Sequence, residues 1–218
     1  MDIVLDIETE NTGYDIMSHN KRLISVQILN GNIKQLFYDG SENHSLDNDR
    51  SEILSQIENG SNFVGFNIRN FDVPFLKRFL KVEIPPQQIL DISEMNELSK
   101  IRNEIGKRYP RLLEICEHLG IDCSHKTMMD DYAMKFHDLP NVLELAKQGA
   151  EEWTSKKGWS YDFSLKLAVD RIIGGMAILE SFNEFVRRGG SHEALFYNYA
   201  IGDIVAENDL FQKLKEMS

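Results

Sequence analysis

The sequence predicts an α/β fold in which a mixed β-sheet of about five strands is flanked by helices, with a helix-rich C-terminal half. Strand-like and helix-like segments alternate in the N-terminal part, and apolar residues at helical spacing dominate the rest. The 218 residues contain no internal repeat, low-complexity tract or linker. Residues 1–218 are therefore expected to form a single domain, and a chain of this length can bury a substantial core.

Each predicted strand is a short run of apolar and β-branched residues, and an Asn-Gly turn at Asn30-Gly31 closes a hairpin. The predicted strands are residues 4–8, 23–29, 33–38, 62–66 and 89–92. Apolar residues spaced three and four apart predict the helices. These are residues 49–57, a helix that begins at or just after Asp72, and residues 111–119, 141–148, 164–186 and 191–216.

Composition and charge exclude several classes of protein. No apolar run approaches the ~20 residues that a membrane-spanning helix needs, and the first residues lack the basic start and apolar stretch of a signal peptide. A net charge of −11 argues against broad, non-specific duplex binding, which leaves a basic footprint. We expect a cytoplasmic or nucleoid-associated protein that does not interact with a membrane.

The two cysteines, Cys116 and Cys123, are too few for a disulfide framework. Cys116 and His118 could suggest zinc, but two residues apart on a helix they point about 200° away from each other. Cys116 is therefore predicted to be a core residue.

Two carboxylates project from one face of the first predicted strand. Asp6 and Glu8 are two residues apart, and strand residues two apart share a face. A solvated strand face would explain the pair, but the apolar neighbours Val4, Leu5 and Ile7 indicate a central, buried strand whose end carries the acids. In such a place a divalent cation would relieve the mutual repulsion of the two carboxylates.

Further acidic positions lie far away in the chain. Asp72 follows the fourth predicted strand where a helix starts, so it is either a helix cap or a functional carboxylate. Tyr199 and Asp203 are four residues apart on one face of a predicted helix, which ordinary amphipathic packing would also explain. The whole set, four carboxylates in order with a phenol beside the last, favours a site for two hard cations that hydrolyses a phosphodiester.

The predicted cofactors are two divalent cations, Mg²⁺ or Mn²⁺, because all-oxygen ligands favour these ions over zinc. Two ions about 3.5 to 4 Å apart can activate a water on one side of a scissile phosphate and stabilise the leaving oxygen on the other. Tyr199 would orient the attacking water or help manage its proton. The predicted metal ligands are Asp6, Glu8, Asp72 and Asp203.

These residues resemble the DEDD superfamily of 3′-to-5′ exonucleases, which adopts an RNase H-like fold. Its first motif, Asp-x-Glu, is matched by Asp6 and Glu8. Its second motif is an asparagine followed a few residues later by an aromatic residue and an aspartate. Asn67, Phe71 and Asp72 match that second motif.

The third motif separates two branches of this superfamily, His-x4-Asp and Tyr-x3-Asp. Tyr199 and Asp203 match the tyrosine branch, and Asn198 stands where the histidine of the other branch would fall. The residues of the motifs look most like those of the proofreading exonuclease domain of family B DNA polymerases. By that resemblance, three residues would contact the terminal nucleotides of the substrate: Thr9, Asn67 and Phe71.

Two segments outside the motifs are candidates for holding a phosphate backbone. Residues 100–111 carry the densest basic stretch, although a solvated helix face or loop would also explain it. Lys156 and Lys157 lie between Trp153 and Trp159, which could stack bases if they are exposed. A third feature, Asp91 at the end of the last predicted strand, is expected to have a structural hydrogen-bonding role.

The sequence thus predicts a metal-dependent 3′-to-5′ exonuclease that removes nucleotides from single-stranded ends, DNA being favoured and RNA possible. No polymerase domain follows, so we expect a stand-alone enzyme, or a nuclease subunit with a polymerase or repair protein as partner, in DNA repair. Two alternatives stay open: a structure-specific endonuclease on the same fold, and a non-catalytic nucleic-acid-binding accessory subunit.

Overall fold

The computed structural model describes residues 2–11, 13–15, 21–40, 45–59 and 62–217. In this part of the chain five strands form one sheet in the order β3-β2-β1-β4-β5. They are β1 (Asp2–Thr9), β2 (Leu23–Asn30), β3 (Ile33–Tyr38), β4 (Asn62–Gly65) and β5 (Ile89–Asp91). The sheet is mixed, because β1 and β5 run parallel to β4 whereas β2 and β3 form an antiparallel hairpin. The predicted α/β class is confirmed.

The described ranges contain eight α-helices. They are α1 (Leu46–Asn59), α2 (Asp72–Leu80), α3 (Glu97–Ile105), α4 (Leu112–Leu119), α5 (Ser124–Ala133), α6 (Pro140–Lys157), α7 (Tyr161–Arg187) and α8 (Leu195–Glu216). Helices α3 and α5 were not predicted from the sequence. Both are short, and α3 buries only Leu98 and Ile101, too few for a clear helical period.

Contacts divide the chain into two compact units. The first is Met1–Glu8, Leu23–Lys126 and Tyr197–Ser218, and the second is Thr9–Arg22 and Thr127–Phe196. The first unit holds the sheet with α1 to α4 and nearly all of α8. The second holds α6, α7 and most of α5. The single domain of residues 1–218 stays a prediction.

The first unit has an apolar core on each face of its sheet. Ile3, Leu5 and Ile7 of β1 pack on one face with residues of α1 and α2. Val4 packs on the other face with residues of α3, α4 and α8. Because strand side chains alternate between the faces, Asp6 and Glu8 continue the face of Val4, the side on which α8 lies.

The second unit shows that Trp153, whose exposure the sequence left open, is buried. Trp153 is only 5% exposed, and its ring packs edge-on against Tyr14 with the centroids 5.7 Å apart. Val142, Ala146 and Ala150 of α6 are buried with it at helical spacing, so Trp153 belongs to the buried face of α6. Its ring therefore cannot stack on a nucleic-acid base, which excludes Trp153 from the candidate substrate contacts.

Both cysteines are buried and carry free thiols, so the predicted core position of Cys116 is confirmed. His118 turns away from it and places Nε2 2.9 Å from Oε2 of Glu104. None of the helices in the described ranges combines the length and apolar character needed to span a bilayer.

Candidate metal-dependent active site

The central strand of the sheet carries the first two acidic residues. Strand β1 lies between β2 and β4, as the apolar residues around Asp6 predict. Glu8 is buried and Asp6 is half-buried, near the carboxyl end of the strand. Strands β1 and β4 are parallel and pair Val4 with Val64, so the segment that follows β4 leaves the sheet at the same edge. That edge is where ligands bind in open α/β sheets.

Helix α8 brings the third carboxylate to the pair on β1. One ligand oxygen from each of Asp6, Glu8 and Asp203 lies within 4.8 Å of the other two. Tyr199, half-buried, precedes Asp203 by one helical turn and lies on the same face of α8. The three carboxylates therefore form a compact cluster of hard oxygen donors.

Asp72 reaches this edge of the sheet from the start of α2. Its Oδ1 accepts a hydrogen bond from the backbone N–H of Ile7 at 3.1 Å, and its carboxyl group is hydrogen-bonded to that of Asp6. Phe71 occupies the N-cap position and has no capping hydrogen bond from its side chain. Because Asp72 bonds across to β1 and lies inside the helix, the helix-cap alternative is wrong.

Asp91 holds the segment that positions Asp72. Its carboxylate accepts backbone hydrogen bonds from Asn67 at 2.9 Å, Arg69 at 3.1 Å and Ser93 at 2.9 Å. Asn67 has φ of 64°, a left-handed conformation that asparagine tolerates better than most residues. The structural role predicted for Asp91 is confirmed: it fixes the turn between β4 and α2.

Two basic residues at the start of α5 bind Asp203. His125 Nε2 lies 2.8 Å, and Lys126 Nζ 2.6 Å, from the same Oδ1 atom. Gly202 permits this contact, because a Cβ at that position would lie 2.4 Å from Cγ of the His125 ring. Sequence reasoning missed both residues, since they lie 78 and 77 positions from Asp203 in an unpredicted helix.

The carboxylates repel one another strongly. Burial, followed by the charge of Asp203, raises the pKa of Asp6 from 3.8 to about 7. Burial, with Asp6 and then Asp203, raises the pKa of Glu8 well above its usual value, and burial with Asp6 does the same for Asp72. A divalent cation among these groups would stabilise their ionised forms.

Asp203 differs from the other three carboxylates because Lys126 and His125 bind it, whereas Tyr199 is governed by burial and by the charge of Asp203. Burial opposes ionisation of Asp203, but Lys126 and His125 outweigh it and lower its pKa. Burial and the charge of Asp203 raise the pKa of the Tyr199 phenol well above 10. Lys126 Nζ lies 5.2 Å from the centroid of the Tyr199 ring. In the metal-free protein Asp203 is thus an anion and Tyr199 a neutral phenol.

A fifth carboxylate, Glu207, lies one turn beyond Asp203 on α8. It is 4% exposed, and burial together with Asp6, Asp72 and Asp203 raises its pKa well above the usual value. Sequence reasoning missed it, although its spacing of four residues from Asp203 is the same as that of Tyr199 from Asp203.

The three predicted substrate-binding residues have different environments. Thr9 ends β1 and is buried. Asn67 is exposed, and its Oδ1 accepts a hydrogen bond from Asn70 Nδ2 at 3.1 Å. Phe71 is half-buried, and its ring centroid lies 4.9 Å from that of Phe75. Their contact with nucleotides stays a prediction.

The basic stretch 100–111 forms the end of α3 and the turn into α4. It lines a surface pocket of about 670 Å³ with Arg102, Lys107, Arg108 and Tyr109. Lys107 forms an ion pair with Glu114, and the guanidinium of Arg108 lies 5.1 Å from the ring centroid of exposed Tyr109. Its role in binding a phosphate backbone stays a prediction.

The raised pKa of Asp6 predicts how the stability of the metal-free protein depends on pH. Between about pH 4 and about pH 7, folded Asp6 retains a proton that the unfolded chain has released, so stability falls as the pH rises through this window. Asp203 has a lowered pKa, so its contribution is lost only at more acidic pH. We expect the melting temperature in chelator to be lower at pH 8 than at pH 5.

The matched measurement adds saturating Mg²⁺ at each pH. Because the cation binds the ionised carboxylates, it should raise the melting temperature more at pH 8 than at pH 5. An equal rise in melting temperature at pH 5 and at pH 8 would show that the acidic cluster does not bind the ion.

Comparison with known families defines the class of protein. A family model of the RNase H superfamily matches residues 3–138. The match covers more than half of the chain, and this protein belongs to that superfamily. The RNase H-like fold predicted from the sequence is thus confirmed. Searches of the curated proteins and of the solved structures found no match.

The superfamily indicates a nuclease domain that acts on nucleic acid and uses divalent metal ions. The residues present fit such ions: three carboxylate oxygens converge within 4.8 Å, and their repulsion favours a cation. The matched segment contains Asp6, Glu8 and Asp72 but ends before Tyr199 and Asp203. The third motif, and the exonuclease branch that it implies, belong to the proposal below.

Proposed function

We propose that this protein is a metal-dependent 3′-to-5′ exonuclease of the tyrosine branch, which hydrolyses phosphodiester bonds at single-stranded ends. The observation that carries the proposal is the convergence of Asp6, Glu8 and Asp203 within 4.8 Å, with Tyr199 one turn before Asp203. The three motifs come from β1, from the turn that leads into α2, and from α8, which is the order in which the family has them.

Four residues would hold two divalent cations, Mg²⁺ or Mn²⁺: Asp6, Glu8, Asp72 and Asp203. Oxygen ligands of this kind suit these ions. When bound, the ions would lower the pKa of the attacking water and stabilise charge on the leaving oxygen. Half-buried Asp6 is central to the set, because it interacts with Glu8, Asp72 and Asp203.

The residues around Asp203 prepare the site for this chemistry. His125 and Lys126 bind Oδ1 of Asp203, which restricts the carboxylate to one orientation. Lys126 brings a positive charge close to Asp203, Tyr199 and Asp6, where it offsets part of the repulsion that the cluster exerts on a substrate phosphate. Tyr199, a neutral phenol, would orient the attacking water through its hydroxyl group rather than act as a base.

The substrate and the cellular role are part of the proposal. Single-stranded 3′ ends of DNA are favoured and RNA is possible, with Thr9, Asn67 and Phe71 at the terminal nucleotides. The aromatic ring of Phe71 would stack on a base. The proposal includes a polymerase or repair protein as partner and a role in DNA repair. It also includes a cytoplasmic or nucleoid-associated location.

The test is digestion of 5′-labelled single-stranded DNA and RNA oligonucleotides that carry either a free or a blocked 3′ end. An exonuclease should shorten the free-ended strand one nucleotide at a time and stall on the blocked one. Equal cleavage of both at internal positions would instead establish an endonuclease. Tight binding without hydrolysis would establish the non-catalytic accessory role.

A further inference from the structure

Glu207 is a buried carboxylate that the four-ligand scheme does not use. It lies four residues after Asp203, so both side chains project from the same face of α8. Its exposed fraction is 4%, and Oε2 is buried without a hydrogen-bond partner in the described part of the structure. A buried carboxylate oxygen that lacks a partner is costly, so some ligand or proton should compensate it.

The surroundings of Glu207 show which side of the cluster it faces. The charges that act most strongly on it are all carboxylates, those of Asp6, Asp72 and Asp203. The backbone N–H of Phe66, which follows β4, faces its carboxyl group and acts to lower its pKa. Glu207 therefore lies near the edge of the sheet where the segment leading to Asp72 begins.

The positive charge of Lys126 acts on Asp203, Asp6 and Glu8. Lys126 pairs directly with Asp203 and lowers the pKa values of Asp6 and Glu8. The strongest charge acting on Asp72 is that of Asp6, which is negative. Asp6 and Asp72 act electrostatically on Glu207, and Oε2 of Glu207 has no hydrogen-bond partner in the described ranges.

We propose that Glu207 is a further carboxylate of the metal site, and that its unpartnered oxygen strengthens binding of the second divalent cation on the Asp72 side of Asp6. This inference rests on the proposed two-metal function. It adds a protein group to the cation position that Asp6 and Asp72 would otherwise hold alone, and it makes the second cation less dependent on bound substrate.

The test is titration of the substrate-free protein with Mn²⁺, with free ion counted by its electron paramagnetic resonance signal. Wild type should bind two Mn²⁺ ions. Glu207→Gln keeps the size of the side chain and an oxygen that can accept from Phe66. This substitution should weaken binding of the second ion by about 10- to 100-fold and leave the affinity for the first ion within about twofold of wild type. Asp209→Asn, which removes an exposed carboxylate from the same helix, should change neither.

Three reference results decide the interpretation. Asp72→Asn should also weaken binding of the second ion, whereas Glu8→Gln should weaken binding of the first. If the amide variant of Glu207 does not fold, Glu207→Asp, which keeps the charge on a shorter side chain, should still weaken the second ion selectively. An unchanged second Mn²⁺ in a folded Glu207 variant overturns the inference, because Glu207 would then be a protonated structural residue.

The failure of this inference is distinguishable from that of the proposed function. If wild type binds two Mn²⁺ ions and the Glu207 variants match it, the nuclease proposal stands and only the role of Glu207 is lost. If wild type binds no Mn²⁺ and cleaves no nucleic acid, the proposed function itself fails, and this inference fails with it.

Discussion

Replacing Asp6 with asparagine should abolish metal-dependent hydrolysis and, at the same time, raise the melting temperature of the metal-free protein. Asp6 interacts with Asp203, Glu8 and Asp72, so its loss should remove metal binding and reduce turnover by about 10³-fold or more. Its pKa of about 7 means that its ionised form destabilises the fold at pH 8. Asparagine removes that charge with little change in size.

The control is Asp209→Asn, which removes an exposed carboxylate without touching the cluster. Turnover and melting temperature are both measured on one preparation of each variant at pH 8, with and without Mg²⁺. Wild-type turnover in Asp6→Asn would contradict the site. Asp203→Ala should also be inactive, but it is a less clear test, because it leaves Lys126 and His125 without their partner and should lower stability.

Replacing Tyr199 with phenylalanine should lower kcat by about 10²-fold or more while leaving metal binding intact. The ring lies near Lys126 and His125, and phenylalanine preserves both packing contacts. Only the hydroxyl group is lost, and a group that orients water or handles its proton contributes about 10²-fold or more. Single-turnover hydrolysis with saturating Mn²⁺ measures this step separately from binding.

Tyr197→Phe is the matched control, because it makes the same change on the same helix. Tyr197 packs against the core shared by α3, α4 and α8, and two residues away it points to another face than Tyr199. Tyr197→Phe should leave kcat within about twofold of the wild-type value. A loss in Tyr199→Phe that is entirely in KM would contradict a role at the reacting atoms.

Much of the fold could be predicted because its signals are local. Acidic and apolar residues alternate around Asp6 and Glu8, and this pattern predicted a central strand with acids at one end. Strand β1 is the central strand of the sheet. The spacing of Tyr199 and Asp203 predicted a shared helical face. The sequence left the exposure of Trp153 open because lysines follow it, although buried residues at spacings of three and four precede it on α6.

The remaining part of the site depends on contacts between distant segments. His125 and Lys126 meet Asp203 because the His125 ring lies against Gly202, a contact that no short motif encodes. Glu207 looks like any acidic residue on an amphipathic helix until burial and its unpaired oxygen are known. The assembly of these groups is a tertiary property, so sequence spacing alone could not identify them.

The central claim is that the cluster of Asp6, Glu8 and Asp203 is the metal-dependent centre of a nuclease. The most direct measurement is hydrolysis of 5′-labelled single-stranded DNA by wild type in Mg²⁺ and in chelator, with Asp6→Asn purified identically. We predict a ladder of strands shortened from the 3′ end that appears only for wild type with Mg²⁺. The same ladder from Asp6→Asn, or no hydrolysis by wild type with Mg²⁺ or Mn²⁺, would contradict the claim.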